Sequence, residues 1–310
     1  MAGSLQMVSA LKRKRVLPIS NRLALGTVQF GLPYGIANQT GQVSRDEVAT
    51  ILDHAWAMGF DTLDSASDYG ESEQRLGEIG VAKWRVVSKL PALLQESCED
   101  VAGWAQDSVI KSLERLKISR LQGLLVHRSP QLLGRHGEAL LTALDGLKSQ
   151  GLVAKIGVSI YGPQELDAIW PYFHPDLVQA PFNVVDRRLL TSGWLSRLHG
   201  AGTEVHVRSV FLQGLLLMDP ARRPTTFNRW QALWRQWDRW LADQSVTPLQ
   251  ACLEFSGSQP EISRLVIGVD NLKQLEEITP AIKHSGLQPP MELSCEDRDL
   301  VEPSRWTIEQ

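Results

Sequence analysis

Cysteine, long apolar runs and surplus positive charge are all scarce in this chain of 310 residues. Its three cysteines, Cys98, Cys252 and Cys295, lie far apart without a CxxC spacing, which argues against a disulfide framework and against a zinc site. No run approaches the roughly eighteen apolar residues of a membrane-spanning helix. The net charge of -3 argues against nucleic-acid binding, which needs clustered basic residues. These absences predict a cytoplasmic protein without metal, nucleic-acid or membrane partners.

The N-terminal end carries a basic run at residues 12–15, but the apolar region and cleavage site of a signal peptide do not follow it. We interpret residues 1–21 as a solvated tail, with a tether to a membrane surface or nucleic acid as the alternative. The whole chain is 43% hydrophobic and 22% charged, which is typical of a globular protein with a substantial core. We predict one domain over residues 22–284 and a C-terminal segment over residues 285–310.

Eight apolar runs of strand length alternate with helical patterns from Leu23 onward. They are rich in Val, Ile and Leu without polar alternation, as expected for parallel strands covered on both faces. The predicted strands are 23–27, 60–64, 86–89, 124–127, 156–159, 177–180, 204–209 and 265–268. Eight β-α units predict an α/β fold, a single-domain (β/α)8 TIM barrel. The alternative, a doubly wound sheet, would need a GxGxxG turn after the first strand, and residues 26–31 do not fit that pattern.

Helical periodicity fills the segments between the predicted strands. The predicted helices cover residues 45–58, 106–116, 136–147, 189–198, 230–241 and 249–255. Ser44 and Glu47 have the spacing of a capping box, and Gly59 ends the first of these helices. Four tryptophans of one helix recur at helical spacing, which indicates packing against the barrel or, alternatively, a sugar-stacking surface. They are Trp230, Trp234, Trp237 and Trp240.

Four polar side chains lie at or just past the carboxyl ends of three predicted strands: Asp64, Tyr69, Lys89 and His127. Those ends converge on one face of a parallel barrel, where its chemistry takes place. We predict that Asp64 holds Lys89, and that the ammonium lowers the tyrosine pKa from about 10. His127 would then hydrogen-bond and position a substrate oxygen, or share the proton. The set predicts protonation of a carbonyl oxygen while hydride reaches carbon, with a Schiff-base role for Lys89 as an alternative.

Residues 59–70, Gly-Phe-Asp-Thr-Leu-Asp-Ser-Ala-Ser-Asp-Tyr-Gly, resemble the G-x-x-x-x-D-T-A-x-x-Y-G signature of the aldo-keto reductases. Residues 73–77 resemble the E-x-x-L-G that follows it, and the resemblance extends over residues 23–278. It implies a (β/α)8 barrel, an extended nicotinamide cofactor without a Rossmann domain, and Tyr69 as the general acid. The family's catalytic residues fall on Asp64, Tyr69, Lys89 and His127.

The same resemblance implies a set of cofactor contacts at the carboxyl ends of the strands. Residues 157–159 match the start of the family's G-V-S-N, with Ile160 in place of Asn, and residues 207–216 resemble A-Y-S-P-L-x-x-G-L-L. Residues 267–277 resemble the phosphate-binding segment. The implied contacts are Gly26, Thr27, Asp64, Ser159, Gln179, Arg208, Ser209, Gly214, Gly268, Asp270, Lys273, Gln274 and Glu277.

Two of these positions leave alternatives open. Arg208 replaces an aromatic ring that stacks on the nicotinamide in many relatives, so it could stack, bind substrate or pair with a carboxylate at the barrel end. Asp270 would repel a 2′-phosphate and could accept a ribose hydroxyl, while Lys273 offers a cation. The family as a whole favours NADP(H), and these local residues leave NAD(H) open.

The resemblance therefore implies an NAD(P)H-dependent oxidoreductase that acts on a small aldehyde, ketone or sugar. The sugar expectation comes from residues 26–38, which look like bacterial family members associated with sugar metabolism. The alternative is a catalytically slow sensor or regulatory subunit on the same barrel. The residues predict no oligomeric state.

Overall fold

The structure is a computed structural model that describes residues 19–93, 99–283 and 286–306. The basic run at residues 12–15 and Cys98 lie outside the described residues. Residues 19–21, assigned to the tail by sequence, form a 3-10 turn together with Arg22. The Arg22 guanidinium donates hydrogen bonds to the carbonyls of Gln259 and Ile262, both at 2.9 Å, and so ties this turn to the segment before the last strand.

Eight parallel strands form a closed barrel in sequence order, which confirms the predicted (β/α)8 fold. The strands are β1 (Leu23–Gly26), β2 (Thr62–Asp64), β3 (Arg85–Leu90), β4 (Gly123–Val126), β5 (Ile156–Ser159), β6 (Leu177–Pro181), β7 (Glu204–Arg208) and β8 (Arg264–Gly268). β8 pairs with β1 through four residue pairs and closes the sheet. Each predicted strand lies within two residues of an observed one.

Helices surround the barrel and alternate with the strands. They are α1 (Val28–Gly31), α2 (Arg45–Ala57), α3 (Ser72–Ile79), α4 (Val101–Leu116), α5 (Gly137–Ser149), α6 (Pro163–Ile169), α7 (Arg188–Thr191), α8 (Trp194–Gly200), α9 (Gln231–Gln244), α10 (Pro248–Gly257), α11 (Leu272–Ala281) and α12 (Arg298–Val301). Their apolar faces and the outer faces of the strands form one buried cluster. No helix of the described chain is both long and apolar enough to cross a membrane.

Two local predictions need correction. The sequence predicts one helix over residues 189–198, whereas the structure contains α7 and α8, because Gly193 adopts a left-handed conformation with φ 79° between them. Only half of the predicted capping box forms: Ser44 accepts a hydrogen bond from Glu47 N at 3.3 Å. The Glu47 carboxylate instead accepts one from Leu272 N at 2.7 Å, which joins α2 to the start of α11.

The tryptophans of α9 are packing residues, as the first of the two interpretations predicts. Trp234 and Trp237 are buried, and their indole N–H groups donate to the carbonyls of Phe227 and Leu216 at 3.0 and 3.3 Å. Trp237 also stacks on Trp240 with a centroid distance of 5.7 Å. None of the four tryptophans lines the cavity described below.

The C-terminal segment packs beside the loop that follows β6. Cys295 N donates to the Val185 carbonyl at 2.9 Å, and the buried Arg188 guanidinium donates to Glu302 at 3.1 Å. None of residues 286–306 lines the cavity. The described part of this segment therefore packs against the outside of the barrel. The cavity is formed by the strand ends and the loops that follow them.

Glu204, the first residue of β7, accepts hydrogen bonds from His206, at 2.8 Å, and from Lys155. Burial alone would raise its pKa, but these two partners outweigh burial and lower the pKa of Glu204 to about 2. A carboxylate whose folded pKa lies below its unfolded value stabilises the fold above the unfolded pKa, and this stability is lost as the pH falls through the folded pKa.

We therefore expect the Glu204→Gln variant to lose about 2 kcal/mol of stability at neutral pH, and to lose less relative to the wild type as the pH falls from about 4.5 towards 2. Urea unfolding across this pH range measures the difference. Glu276→Gln, at an exposed position of α11, is the control. Equal stability of Glu204→Gln and the wild type at neutral pH would contradict the assignment.

Candidate active site

A cavity of about 620 Å³ opens at the carboxyl ends of the strands. All four predicted catalytic residues line it, and so does every predicted cofactor contact except Lys273. Five of these residues are the last of their strands, which is where a parallel barrel places its reactive groups. They are Gly26, Asp64, Ser159, Arg208 and Gly268. Lys273 is exposed on α11, and its contact with a cofactor stays a prediction.

Asp64 and Lys89 form a buried ion pair at the floor of the cavity. The Lys89 ammonium donates to both carboxylate oxygens of Asp64, each at 2.9 Å, and to the Ser65 carbonyl at 2.8 Å. Burial alone would lower the pKa of Lys89, but Asp64 and Tyr69 outweigh burial and raise it. Lys89 is therefore charged and held in one position, which argues against its alternative role as a Schiff-base amine, since that role needs a neutral amine.

The ring of Tyr69 lies against this ion pair, with the Lys89 ammonium 4.8 Å from the ring centroid. Burial raises the pKa of Tyr69, the ammonium of Lys89 lowers it, and the net shift is upward. The ammonium acts on the pKa in the expected direction, but the net shift is opposite to the sequence-based expectation, because the sequence does not show how strongly the ring is desolvated. The phenol of Tyr69 consequently keeps its proton at neutral pH.

A close approach of two backbone segments fixes the turn that carries Tyr69. A side-chain carbon at Gly31 would lie 1.7 Å from the Tyr69 carbonyl oxygen, so only glycine fits there. The Ser72 hydroxyl donates a hydrogen bond to the Thr27 hydroxyl at 2.8 Å. The Ser72 backbone N–H donates to the Tyr69 carbonyl at 3.0 Å. Sequence analysis missed Gly31 and Ser72, although residues 26–31 and 69–72 are both rich in glycine and small polar residues.

His127 follows β4 and faces Tyr69, with 6.3 Å between the ring centroids in an edge-to-face arrangement. Its Nδ1 atom lies 3.4 Å from the Asp68 carboxylate. Burial, together with the positive charge of Lys89, lowers the pKa of His127 to about 4. The imidazole is therefore neutral at pH 7, where it can exchange a hydrogen bond with a substrate oxygen without adding charge.

Gln179 on β6 extends the network across the barrel. Its side-chain N–H donates to Asp64 Oδ1 at 2.6 Å, while its Oε1 atom is buried without a hydrogen-bond partner among the described residues. A buried acceptor without a partner is unfavourable by about 1–3 kcal/mol unless a ligand donates to it. Ser159 ends the neighbouring strand β5 at the position paired with Gln179. The pair thus forms a polar patch suited to an amide group of a ligand.

Arg208 ends β7 and lines the cavity. Its guanidinium donates to the Ile160 carbonyl at 3.0 Å and to the Ser209 hydroxyl at 3.3 Å, and it lies 5.0 Å from the ring centroid of Tyr161. In the described ranges no carboxylate forms an ion pair with Arg208, so the interpretation as a barrel-end ion pair is wrong. Ser209 itself adopts a left-handed φ of 59°, and Asn183 donates to its carbonyl at 3.0 Å.

Asp270 follows β8 and lines the cavity. Its carboxylate accepts hydrogen bonds from Asn38 at 3.0 Å and from Gln274 at 3.3 Å. Burial raises the pKa of Asp270, and the two amide donors offset part of that shift. A carbon added at Gly268 would lie 2.6 Å from the amide of Gln29, so a side chain there would displace the end of the Gln29 side chain. Gln29 Oε1 is a second buried acceptor without a partner among the described residues.

Two loops meet across the cavity. Gln213, in the loop after β7, donates to the Tyr34 hydroxyl at 3.0 Å. Gly214 has a φ of 90°, and an added carbon there would lie 2.5 Å from Ala37 Cβ. The loops after β1 and β7 are therefore in contact with each other, and together they cover part of the cavity. Tyr34 and Asn38 were not predicted as site residues, because nothing in the sequence shows which loops cross.

Comparisons with known proteins agree with this geometry. A closed (β/α)8 barrel with a tyrosine, a lysine, a carboxylate and a histidine at its carboxyl face is typical of nicotinamide-dependent carbonyl oxidoreductases. Residues 22–289 match the Aldo/keto reductase family, and the chain belongs to that family. Membership implies oxidoreductase activity with a nicotinamide cofactor and small-molecule carbonyl substrates, as the sequence predicts.

Solved structures show the same fold. A protein from Pseudomonas aeruginosa assigned to the aldo-keto reductases shares 23% identity with a TM-score of 0.63, over 84% of this chain and 88% of that chain. The holo form of the aldo-keto reductase AKR11C1 from Bacillus halodurans shares 16% identity with a TM-score of 0.67, over 86% of this chain and 88% of that chain. The comparison with curated proteins gave no match.

Proposed function

We propose that this protein transfers hydride between a nicotinamide nucleotide and the carbonyl carbon of a small aldehyde, ketone or sugar. The observation that carries the proposal is the buried Asp64–Lys89 pair beneath the Tyr69 ring, inside a cavity of about 620 Å³. The nicotinamide, when bound, supplies or accepts the hydride. The residues of the chain supply the proton, the positioning and the exclusion of water.

Tyr69 is the proton donor in this proposal. Its phenol keeps the proton at neutral pH, and the fixed ammonium of Lys89 stabilises the phenolate that forms when the proton leaves. His127, neutral and opposite Tyr69, orients the substrate oxygen. Asp64 keeps Lys89 charged and in place. The phenol of Tyr69 therefore has a fixed position from which it donates its proton to the carbonyl oxygen of the substrate.

The residues at the cavity fit a nicotinamide nucleotide. The unpartnered acceptor of Gln179 could receive the carboxamide N–H, with Ser159 beside it. Gly26 and Gly268, paired in neighbouring strands, both line the cavity and would lie beside the ribose and phosphates. Asp270, held by Asn38 and Gln274, would face the adenosine ribose.

The test is to mix the purified protein with NADPH or NADH and a panel of short aldehydes, ketones and aldoses, and to follow the absorbance of the reduced nicotinamide. We expect turnover with at least one of the two nucleotides. Tight nucleotide binding without turnover of any member of the panel would instead favour the alternative of a slow sensor or regulatory subunit.

Replacing Asp270 with asparagine should shift nucleotide preference towards NADPH by about tenfold, because a carboxylate next to a 2′-phosphate repels it. The kcat/KM values for NADPH and NADH measure the shift. Asp243→Asn, at an exposed position of α9, makes the same change of charge away from the cavity and should leave the ratio unchanged. An unaltered ratio in Asp270→Asn would show that Asp270 does not face the ribose.

A further inference from the structure

Arg208 is held in the cavity with hydrogen-bonding capacity to spare. A guanidinium carries five N–H donors. In Arg208 two of these donors form hydrogen bonds, with the Ile160 carbonyl and the Ser209 hydroxyl, and three donors remain. The ring of Tyr161 covers the guanidinium from one side. Arg208 is therefore oriented by its surroundings, and its remaining donors have no protein acceptor among the described residues.

Arg208 also forms no ion pair with a described carboxylate. The buried Lys89 is neutralised by Asp64. The half-buried Arg208 interacts electrostatically with Asp186, but the carboxylate of Asp186 accepts hydrogen bonds from Arg188 instead. The positive charge of Arg208 acts on the reacting groups, since it contributes to lowering the pKa of His127 and opposes the rise of the Tyr69 pKa. A guanidinium without an ion-pair partner next to the proton donor is a site for a negatively charged group of a ligand.

Stacking on the nicotinamide does not account for these features. The reduced nicotinamide ring is neutral and the oxidised ring is cationic, so neither form supplies the negative charge that would pair with the guanidinium. Stacking would also leave the in-plane N–H donors without acceptors. A carboxylate or a phosphate satisfies both the charge and the donors, because its oxygens match the planar fork of arginine.

We propose that Arg208 binds an anionic group, a carboxylate or a phosphate, on the carbonyl substrate. The preferred substrates are then oxo acids or phosphorylated aldehydes rather than their neutral analogues. This substrate class rests on the proposed reductase function and adds to it a residue that determines specificity.

Matched substrate pairs test the proposal: succinic semialdehyde against its methyl ester, and glyceraldehyde 3-phosphate against glyceraldehyde. In the wild type we expect the anionic member of at least one pair to have the higher kcat/KM. Arg208→Gln should lower the ratio of kcat/KM for the anionic member to that for the neutral member by about 10- to 100-fold, mainly through the KM of the anionic member. The pair that loses its preference identifies carboxylate or phosphate.

Two variants serve as comparisons. Arg208→Lys keeps the charge but not the fork, and should retain part of the preference. Arg235→Gln, at an exposed position of α9, changes the net charge equally and should leave the preference intact. A fluorescence titration with NADPH should give similar Kd values for the wild type and Arg208→Gln.

A binding measurement separates failure of this proposal from failure of the reductase function. Succinate and glycerol 3-phosphate, which carry the anion without a carbonyl to reduce, are titrated calorimetrically into the NADPH complex. We expect one of them to bind the wild type at least tenfold more tightly than Arg208→Gln. Equal binding, or a loss of NADPH affinity in place of anion selectivity, would overturn the role of Arg208, whereas absence of turnover alone would count only against the reductase.

Discussion

Replacing Tyr69 with phenylalanine should lower turnover by about two to four orders of magnitude while nucleotide binding persists. The variant removes one hydroxyl and keeps the ring that lies over the Lys89 ammonium. Hydride transfer then has no proton donor at the substrate oxygen, and His127, with a pKa of about 4, cannot replace it at pH 7. Single-turnover rates and nucleotide fluorescence titrations separate the loss of chemistry from a loss of binding.

The pH dependence of carbonyl reduction provides a second measure of the same assignment. Because the pKa of Tyr69 is raised and that of His127 is lowered, neither group titrates near pH 6.5, and kcat should be level around neutral pH. Tyr172→Phe, at an exposed tyrosine, is the matched control and should be fully active. Near-normal turnover of Tyr69→Phe would remove Tyr69 from the role of general acid.

The fold could be predicted almost completely, because most strands are short runs rich in Val, Ile and Leu that alternate with helical patterns. Asp64 and Ser159 end β2 and β5 as predicted, and Arg208 ends β7 one residue before the predicted end. The prediction of one helix in place of α7 and α8 was wrong for a local reason. Gly193 is a single residue in a helical pattern, and whether such a glycine breaks the helix depends on the packing around it.

The site could be predicted only in part. The convergence of Asp64, Lys89 and His127 follows from their positions at strand ends, which the barrel topology brings to one face. The direction of the Tyr69 pKa shift could not be predicted, because it depends on how deeply the ring is buried. Contacts between loops, such as Tyr34 with Gln213, depend on backbone paths that no local pattern specifies.

Neutralising Asp64 should have the largest effect on stability. Lys89 is buried, and its ammonium donates to Asp64 and to the Ser65 carbonyl. Asp64→Asn keeps the shape of the side chain and leaves this ammonium without a counter-charge. We expect the free energy of unfolding to fall by about 3–5 kcal/mol, as measured by urea unfolding.

A double variant distinguishes charge from shape. Asp64→Asn combined with Lys89→Met removes both buried charges, and should be more stable than Asp64→Asn alone, because the unpaired ammonium is gone. Arg45→Gln breaks the exposed pair of Arg45 with Glu78 and should shift the unfolding midpoint far less. If the double variant were no more stable than Asp64→Asn, the loss would come from packing, and the ion pair would not be what holds Lys89 beneath Tyr69.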